Sequence, residues 1–428
     1  MDRQYFGSRG TMDKAGLAPT ASYGGILRSI LTVPVIVASL GYFVDIYDLI
    51  LFSIVRISSL RCIGLQGQEL LDRGVFLLNM QMGGMLLGGI IWGILGDKQG
   101  RVKILFGSIF LYSVANIANG YVDTISAYAV WRFIAGIGLA GELGAGVTLV
   151  LENLPRNTRG YGTMIVATVG VTGAILANLV AKHFEWRIAY FIGGGLGLVL
   201  LIMRIGVFES GMYREIENRN IKKGDFLSLF RRRVYFVKYM KSILIGLPIW
   251  FAVGIPITFS PEFGKALRVT EPVNAGEAVM YCYIGLVFGD FASGFLSQYF
   301  GSRRKVVFLF QILTVIAISA YFMLREVSPA LFYLHCMAIG FAVGYWAIFI
   351  TIAAEQFGTN LRATVASTVP NFIRGMVIPI TFSFQFAKEH LGIIQGAAVV
   401  GLICLVISFY ALYYLEETFQ KDLSYVEE

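Results

Sequence analysis

The sequence predicts an all-α membrane protein with twelve transmembrane helices in two pseudo-symmetric six-helix bundles. Three observations lead there: composition, the number of long apolar stretches, and an internal duplication. Of 428 residues, 56% are hydrophobic and 14% charged, with a mean hydropathy of +0.69, whereas soluble domains are about a quarter charged. A hydrocarbon core about 30 Å thick takes roughly 20 apolar residues per helix. Twelve spans with short loops therefore fill the chain and leave no space for a large soluble domain.

In chain order, the apolar stretches place spans near 29–56, 74–96, 103–122, 125–151, 161–183, 188–207, 242–262, 277–300, 305–324, 330–354, 363–387 and 391–415. Residues 1–28 are a polar tail without the apolar core and small-residue cleavage site of a signal peptide. Residues 209–241 form a basic central loop between the bundles 29–208 and 242–415, and 416–428 are the C-terminal tail. The termini and the even-numbered connections carry more than twice as many Lys and Arg as the odd-numbered ones, which puts both termini in the cytoplasm. The formal charge of +8 reflects this bias, and no nucleic-acid partner is expected. The 49 glycines suit close helix packing in lipid. Cys62, Cys282, Cys336 and Cys404 lie far apart and read as small apolar residues, neither disulfides nor metal ligands.

The duplication rests on two landmarks. Gly93-Ile-Leu-Gly-Asp97-Lys98-Gln-Gly100-Arg101-Val-Lys103 after span two is matched after span eight by Gly294-Phe-Leu-Ser-Gln298-Tyr-Phe-Gly301-Ser-Arg303-Arg304-Lys305. Glu152 and Arg159 after span four, seven apart, are matched by Glu355 and Arg362 after span ten. Both pairs are displaced by just over 200 residues, as a repeated six-helix unit requires.

At these residues the chain resembles the major facilitator superfamily, from about Ile30 to Leu415. Gly93, Asp97, Lys98, Gly100, Arg101 and Lys103 match the signature G-x-x-x-D-[RK]-x-G-[RK]-x-[RK], while Gln298 departs from it in the second copy. Asp45 and Asp48 in span one, with Arg132 to Glu142 in span four, are similar to the proton-coupled metabolite, aromatic-acid and phosphate symporter branches. Drug antiporters of the superfamily typically carry Gly-Pro in span five. This span holds Gly162, Gly170 and Gly173 but no proline.

Ionisable groups inside a bilayer are costly and mark transport chemistry. Here they are Asp45, Asp48, Arg132, Glu142, Asp290, Arg374 and, at the margin, His335. Asp45 and Asp48 share a helix face. Two carboxylates so close repel, which suits one of them to take up and release a proton, the alternative being a fixed pair with a basic group of span four. The resemblance implies that Arg132 tunes Asp45 or Asp48. Glu142 lies roughly 15 Å further along span four and either titrates or stays bonded among glycines. In span eleven, Ser367, Pro370, Asn371, Arg374 and Thr381 form one polar face, where Arg374 needs an anion: a substrate carboxylate or phosphate, or Asp290 or Glu142. Pro370 and Pro379 are expected to loosen that helix. Trp250, Tyr345 and Trp346 are candidate cavity walls; Asn79, Gln81, Asn116 and Asn119 are weaker candidates. His183, His335 and His390 lack metal-ligand spacing, so no metal is expected.

The gating residues are Gly93, Asp97, Gly100, Arg101, Glu152, Arg159, Arg303, Glu355 and Arg362. Asp97, Lys98, Arg101 and Lys103 should pair with Glu152, Arg159 and the matching helix end of the other half, closing the cytoplasmic side. Together these readings predict a monomeric, multi-pass transporter of a bacterial inner membrane. It would take up a small anionic or zwitterionic metabolite with protons as coupling ion and no other cofactor. The rivals are a proton antiporter exporting a drug or siderophore, and a nontransporting sensor on the same fold. No G-x-S-x-G, H-E-x-x-H or Ser/His/Asp grouping supports an enzyme.

Overall fold

The computed structural model describes residues 32–155, 158–205 and 226–421. The N-terminal tail, the first half of the central loop and the end of the C-terminal tail lie outside them. Among the described residues, twelve helices are long and apolar enough to cross a bilayer: Val33–Cys62, Glu69–Gln99, Val102–Asn119, Ile125–Asn153, Arg159–His183, Trp186–Met203, Arg233–Ile257, Ala275–Tyr299, Arg303–Met323, Pro329–Glu355, Arg362–Leu391 and Ile393–Tyr413. These are spans one to twelve. The fold is all-α, in two bundles of six.

Span seven corrects the expected limits of the central loop. It starts at Arg233, not near 242, and a short helix, Ser228–Arg231, precedes it. The cations of this stretch hid a one-sided pattern: Tyr235, Tyr239, Ser242 and Ile243 are buried at helical spacing, so the amphipathic segment extends the membrane helix at its cytoplasmic end. Spans one and eleven also outrun the apolar stretches, to Cys62 and Leu391.

The same device holds each bundle together. Span two carries Gly84 and Gly88, and span eight Gly285 and Gly289. A Cβ at these positions would collide with the carbonyl oxygens of Phe133 and Ile137 on span four, and of Met337 and Phe341 on span ten. Backbone-to-backbone approach through a small-x-x-x-small pair is a membrane packing solution, and its repetition about 200 residues on makes the duplication visible in three dimensions.

Four spans are interrupted. Spans five and eleven break at Thr172 and Met376, again related by the repeat; in span eleven the break falls between Pro370 and Pro379, not at either. Pro256 lacks an N–H, and span seven widens there into a π-turn, Val253–Ile257, with Thr258 N–H donating to Val253 O at 3.1 Å. Span ten unwinds between Ala342 and Trp346. Between the bundles, span two packs along span eleven and span five along span eight. These contacts frame a central cavity of about 20 Å³ lined by spans one, five, seven, eight and ten.

Candidate functional site

At the centre, Asp45 of span one faces Arg374 of span eleven, with Oδ2 and Nη2 3.7 Å apart and both side chains fully buried. The internal acid facing Arg374 is therefore Asp45 of the opposite bundle, and neither Asp290 nor Glu142. The guanidinium also lies near the rings of Trp250 and Trp346, 5.7 and 5.4 Å from their centroids. Its Nη1 donates to Asn371 Oδ1 at 3.4 Å. Asn371 Nδ2 in turn donates to Ala140 O of span four at 2.8 Å and to Ser367 O at 2.6 Å. Tyr42, Ile249, Trp250, Tyr283 and Trp346 line the central cavity.

The other candidates separate into different places. Asp48 is buried and faces Gly193 of span six, inside the N-terminal bundle rather than at the central cavity. Arg132 bonds neither aspartate: it donates to Gln81 and, at 3.5 Å, to Tyr190, and lies 4.4 Å from the ring of Phe52. Its charge reaches Asp48 only through space. Glu142 is held by Arg204, at the end of span six, through both carboxylate oxygens. Asp290 Oδ1 accepts from Ala347 N at 3.1 Å, which caps the second half of the unwound span ten. Tyr345 donates to Ile245 O of span seven at 3.0 Å and packs on Phe310, away from the cavity. Asn79 lies 3.3 Å from Thr381 across the bundles, while the amides of Asn116 and Asn119 are buried in the N-terminal bundle. His335 bonds its own helix at Leu331 O. Among the described residues, no three His, Cys, Asp or Glu side chains gather as a metal site.

At the cytoplasmic side, Asp97 accepts from Ala363 N at 3.2 Å, Thr364 N at 2.8 Å and Thr364 Oγ1 at 2.5 Å, so it caps the start of span eleven on the other bundle. A Cβ at Gly93 would press on the Thr364 backbone, and one at Gly144 on Ser367. Gly100, at φ +100°, turns the chain into the helix Arg101–Asn119 that carries span three. Glu152 pairs across the bundles with Arg362 at 3.7 Å. Arg159 Nε donates to Leu154 O within its own bundle, and Arg303 pairs with Glu355 at 2.7 Å within the C-terminal one. Thr163 and Thr351 meet across spans five and ten at 3.1 Å.

Sequence reading missed two groups. Arg204 was visible as a cation inside an apolar stretch, and a buried Glu142 demanded one. Arg56, at the expected end of span one, is not among the ionisable groups named from the sequence; it is buried and pairs with Glu262 beyond span seven at 3.0 Å, 4.9 Å from the ring of Phe259.

The family model described as "Major Facilitator Superfamily" matches residues 38–382. The niacin transporter of Acinetobacter baylyi is 24% identical over 376 residues, 79% of this chain and 84% of the relative. The sialic acid transporter of Escherichia coli is 24% identical over 336 residues, covering 76% and 81%. The solved proton:xylose symporter bound to 6-bromo-6-deoxy-D-glucose superposes with a TM-score of 0.72 at 15% identity, over 91% of this chain and 97% of that one.

Proposed function

The chain belongs to the Major Facilitator Superfamily and is a multi-pass secondary active transporter working by alternating access, not an enzyme, and from that premise we propose that it takes up a small anionic or zwitterionic metabolite together with protons. The observation that carries this reading is the buried Asp45–Arg374 pair, which spans the two bundles beside the central cavity. Arg374 is the anion receptor. Asp45, with Asp48 behind it under the field of Arg132, carries the proton. Trp250, Trp346 and Asn371 orient the site, and Asp97, Glu152 and Arg362 close the cytoplasmic side. The transporter acts as a monomer and the proton is its only cofactor. Relatives named for niacin and sialic acid, both of which bear a carboxylate, agree with an acidic substrate.

The test is uptake by the reconstituted chain under an inward proton gradient, with nicotinate and N-acetylneuraminate as anions, proline as zwitterion and xylose as neutral control. An anion or zwitterion is expected to accumulate, and a protonophore to abolish the accumulation. Accumulation indifferent to the protonophore would sink the coupling. Asp45→Asn and Asp48→Asn should each lose driven uptake by about tenfold or more while remaining folded, in line with the functional weight of intramembrane acids.

A further inference from the structure

Span nine opens on two cations that the gating contacts leave out. When the two motif copies are aligned, Arg304 and Lys305 stand where the first half has Lys103 and Ile104. Ile104 is buried, whereas Lys305 is exposed, and its ammonium pairs with no acid among the described residues. One turn on, Phe308 takes the place of Gly107, which in the first half closes against Trp92. The extra charge and the ring are thus additions of the second half that the shared fold does not require. They line a groove of about 720 Å³ between the cytoplasmic ends of spans nine and twelve. Its apolar lining is Leu412 with Phe308 and Phe409, whose ring centroids lie 5.8 Å apart. Arg304 Nη2 donates to Tyr413 O at 2.8 Å, which fixes the guanidinium beside span twelve. Glu417, the acid in the lining, is already engaged by Ser302 Oγ and by the N–H groups of Arg303 and Arg304. Tyr299, Tyr410 and Tyr413, each more than two-thirds exposed near the ends of spans eight and twelve, mark the headgroup level. From there two exposed apolar stripes run toward the membrane centre, Ile312 and Ile316 on span nine, Leu402 and Val406 on span twelve.

We propose that this groove binds one anionic phospholipid of the cytoplasmic leaflet, its phosphate held by Arg304 and Lys305 and its acyl chains laid along the stripes of spans nine and twelve. Charge and shape together select the occupant. A guanidinium and an ammonium suit a phosphate, which accepts from both. A free phosphate would leave Phe308 and Phe409 uncovered, and a zwitterionic lipid would bring its own ammonium against two cations. Both stripes face hydrocarbon, so the apolar part of the ligand is a chain of the bilayer. An anionic diacyl lipid satisfies the cations and the apolar lining at once, at the depth where the negative potential of the cytoplasmic leaflet acts on basic residues. The bound lipid bridges spans nine and twelve within one bundle. It therefore braces the C-terminal bundle without entering either contact between the bundles, and its binding does not depend on which solute is carried.

Native mass spectrometry of the purified, delipidated full chain counts the lipids retained from equal additions of phosphatidylglycerol and phosphatidylcholine with the same acyl chains. One phosphatidylglycerol is expected to be held about tenfold or more tightly than phosphatidylcholine, and to raise the melting temperature where phosphatidylcholine does not. A basic residue near an anionic headgroup contributes about fivefold, so Arg304→Gln and Lys305→Ile should each weaken phosphatidylglycerol by that factor. Lys305→Ile restores the residue type of the first half. Phe308→Ala should weaken it as well, through the chains. Arg231→Gln, which removes an exposed cytoplasmic cation outside the groove, should leave binding unchanged, and inorganic phosphate should not displace the lipid. Equal retention of the two lipids in the wild type overturns the site, whatever the variants do. So does an equal loss in Arg231→Gln, because the attraction then belongs to the whole basic surface. Displacement by inorganic phosphate, or a Phe308→Ala variant that binds like the wild type, assigns the groove to a free anion and overturns the lipid.

Discussion

The two bundles touch at both faces of the membrane, and the two seams are made of different material. On the cytoplasmic side, Asp97 receives three donors from the start of span eleven, Glu152 pairs with a fully buried Arg362, and glycines let span two and span four lie against the span-eleven backbone. On the extracellular side the contacts are single and partly exposed. Arg56 is buried but its partner Glu262 is 27% exposed, the Lys182–Glu277 pair at 3.4 Å is solvent-facing, and Asn178 Nδ2 donates to the sulfur of Met280. Exposed ion pairs contribute little, whereas hydrogen bonds to a buried carboxylate contribute about 1.5–3 kcal/mol each. The difference teaches that the extracellular seam is the easier one to part, so the closed form shown here yields first toward the outside.

Asp97→Ala should have the largest effect, since it removes the acceptor of three donors at once. A shift of about 2–4 kcal/mol toward cytoplasmic opening is expected. It is read as at least tenfold faster labelling of Ser367→Cys from the cytoplasm, in a background where the exposed Cys62 is replaced by serine. Unchanged labelling would erase the contrast between the seams. Arg56→Ala should come next, at about 1–3 kcal/mol, between an exposed and a fully buried pair, and should expose Thr381→Cys to extracellular reagent. Lys182→Ala should alter that labelling by less than about 1 kcal/mol.

Glu417 supplies a control that leaves both seams alone. Burial favours its protonation, but bonds from Ser302 Oγ and from the backbone N–H groups of Arg303, Phe419 and Arg304 outweigh burial and hold the carboxyl below the ordinary glutamate range. A depressed folded value means stabilisation that is fully present above the unfolded value and lost as pH falls through the folded one. Glu417→Gln should therefore lower the melting temperature slightly at neutral pH and remove part of its acid sensitivity, with both cysteine reporters unaffected.

Much of this architecture was legible because lipid imposes few solutions. Long apolar runs, the bias of cations and the repeat at Asp97 and Gln298 led to twelve helices in two halves without any knowledge of contacts. The same reading located most of the buried charges, since an ion in an apolar run stands out, though it passed over Arg204 and Arg56. Their pairing was not legible. Asp45 and Arg374 are more than 300 residues apart in sequence, and helix periodicity says which face a residue occupies but not which helix lies opposite. Asp290 shows a second limit: a carboxylate that caps a broken helix looks, in sequence, like one that binds substrate. The extension of span seven through Arg233 to Lys241 shows a third, because a charge count cannot see that two buried tyrosines carry the helix into the cytoplasmic interface.

The central void, about 20 Å³, has room for about one water molecule. Any solute larger than water must therefore wait for a seam to part, and its apparent affinity is the intrinsic affinity multiplied by the fraction of molecules already open. Tightness of binding in this protein is thus set partly at Arg56 and Glu262, far from the atoms that hold the solute. A lesion there, by raising the open fraction, would strengthen binding while weakening the seal that makes transport directional.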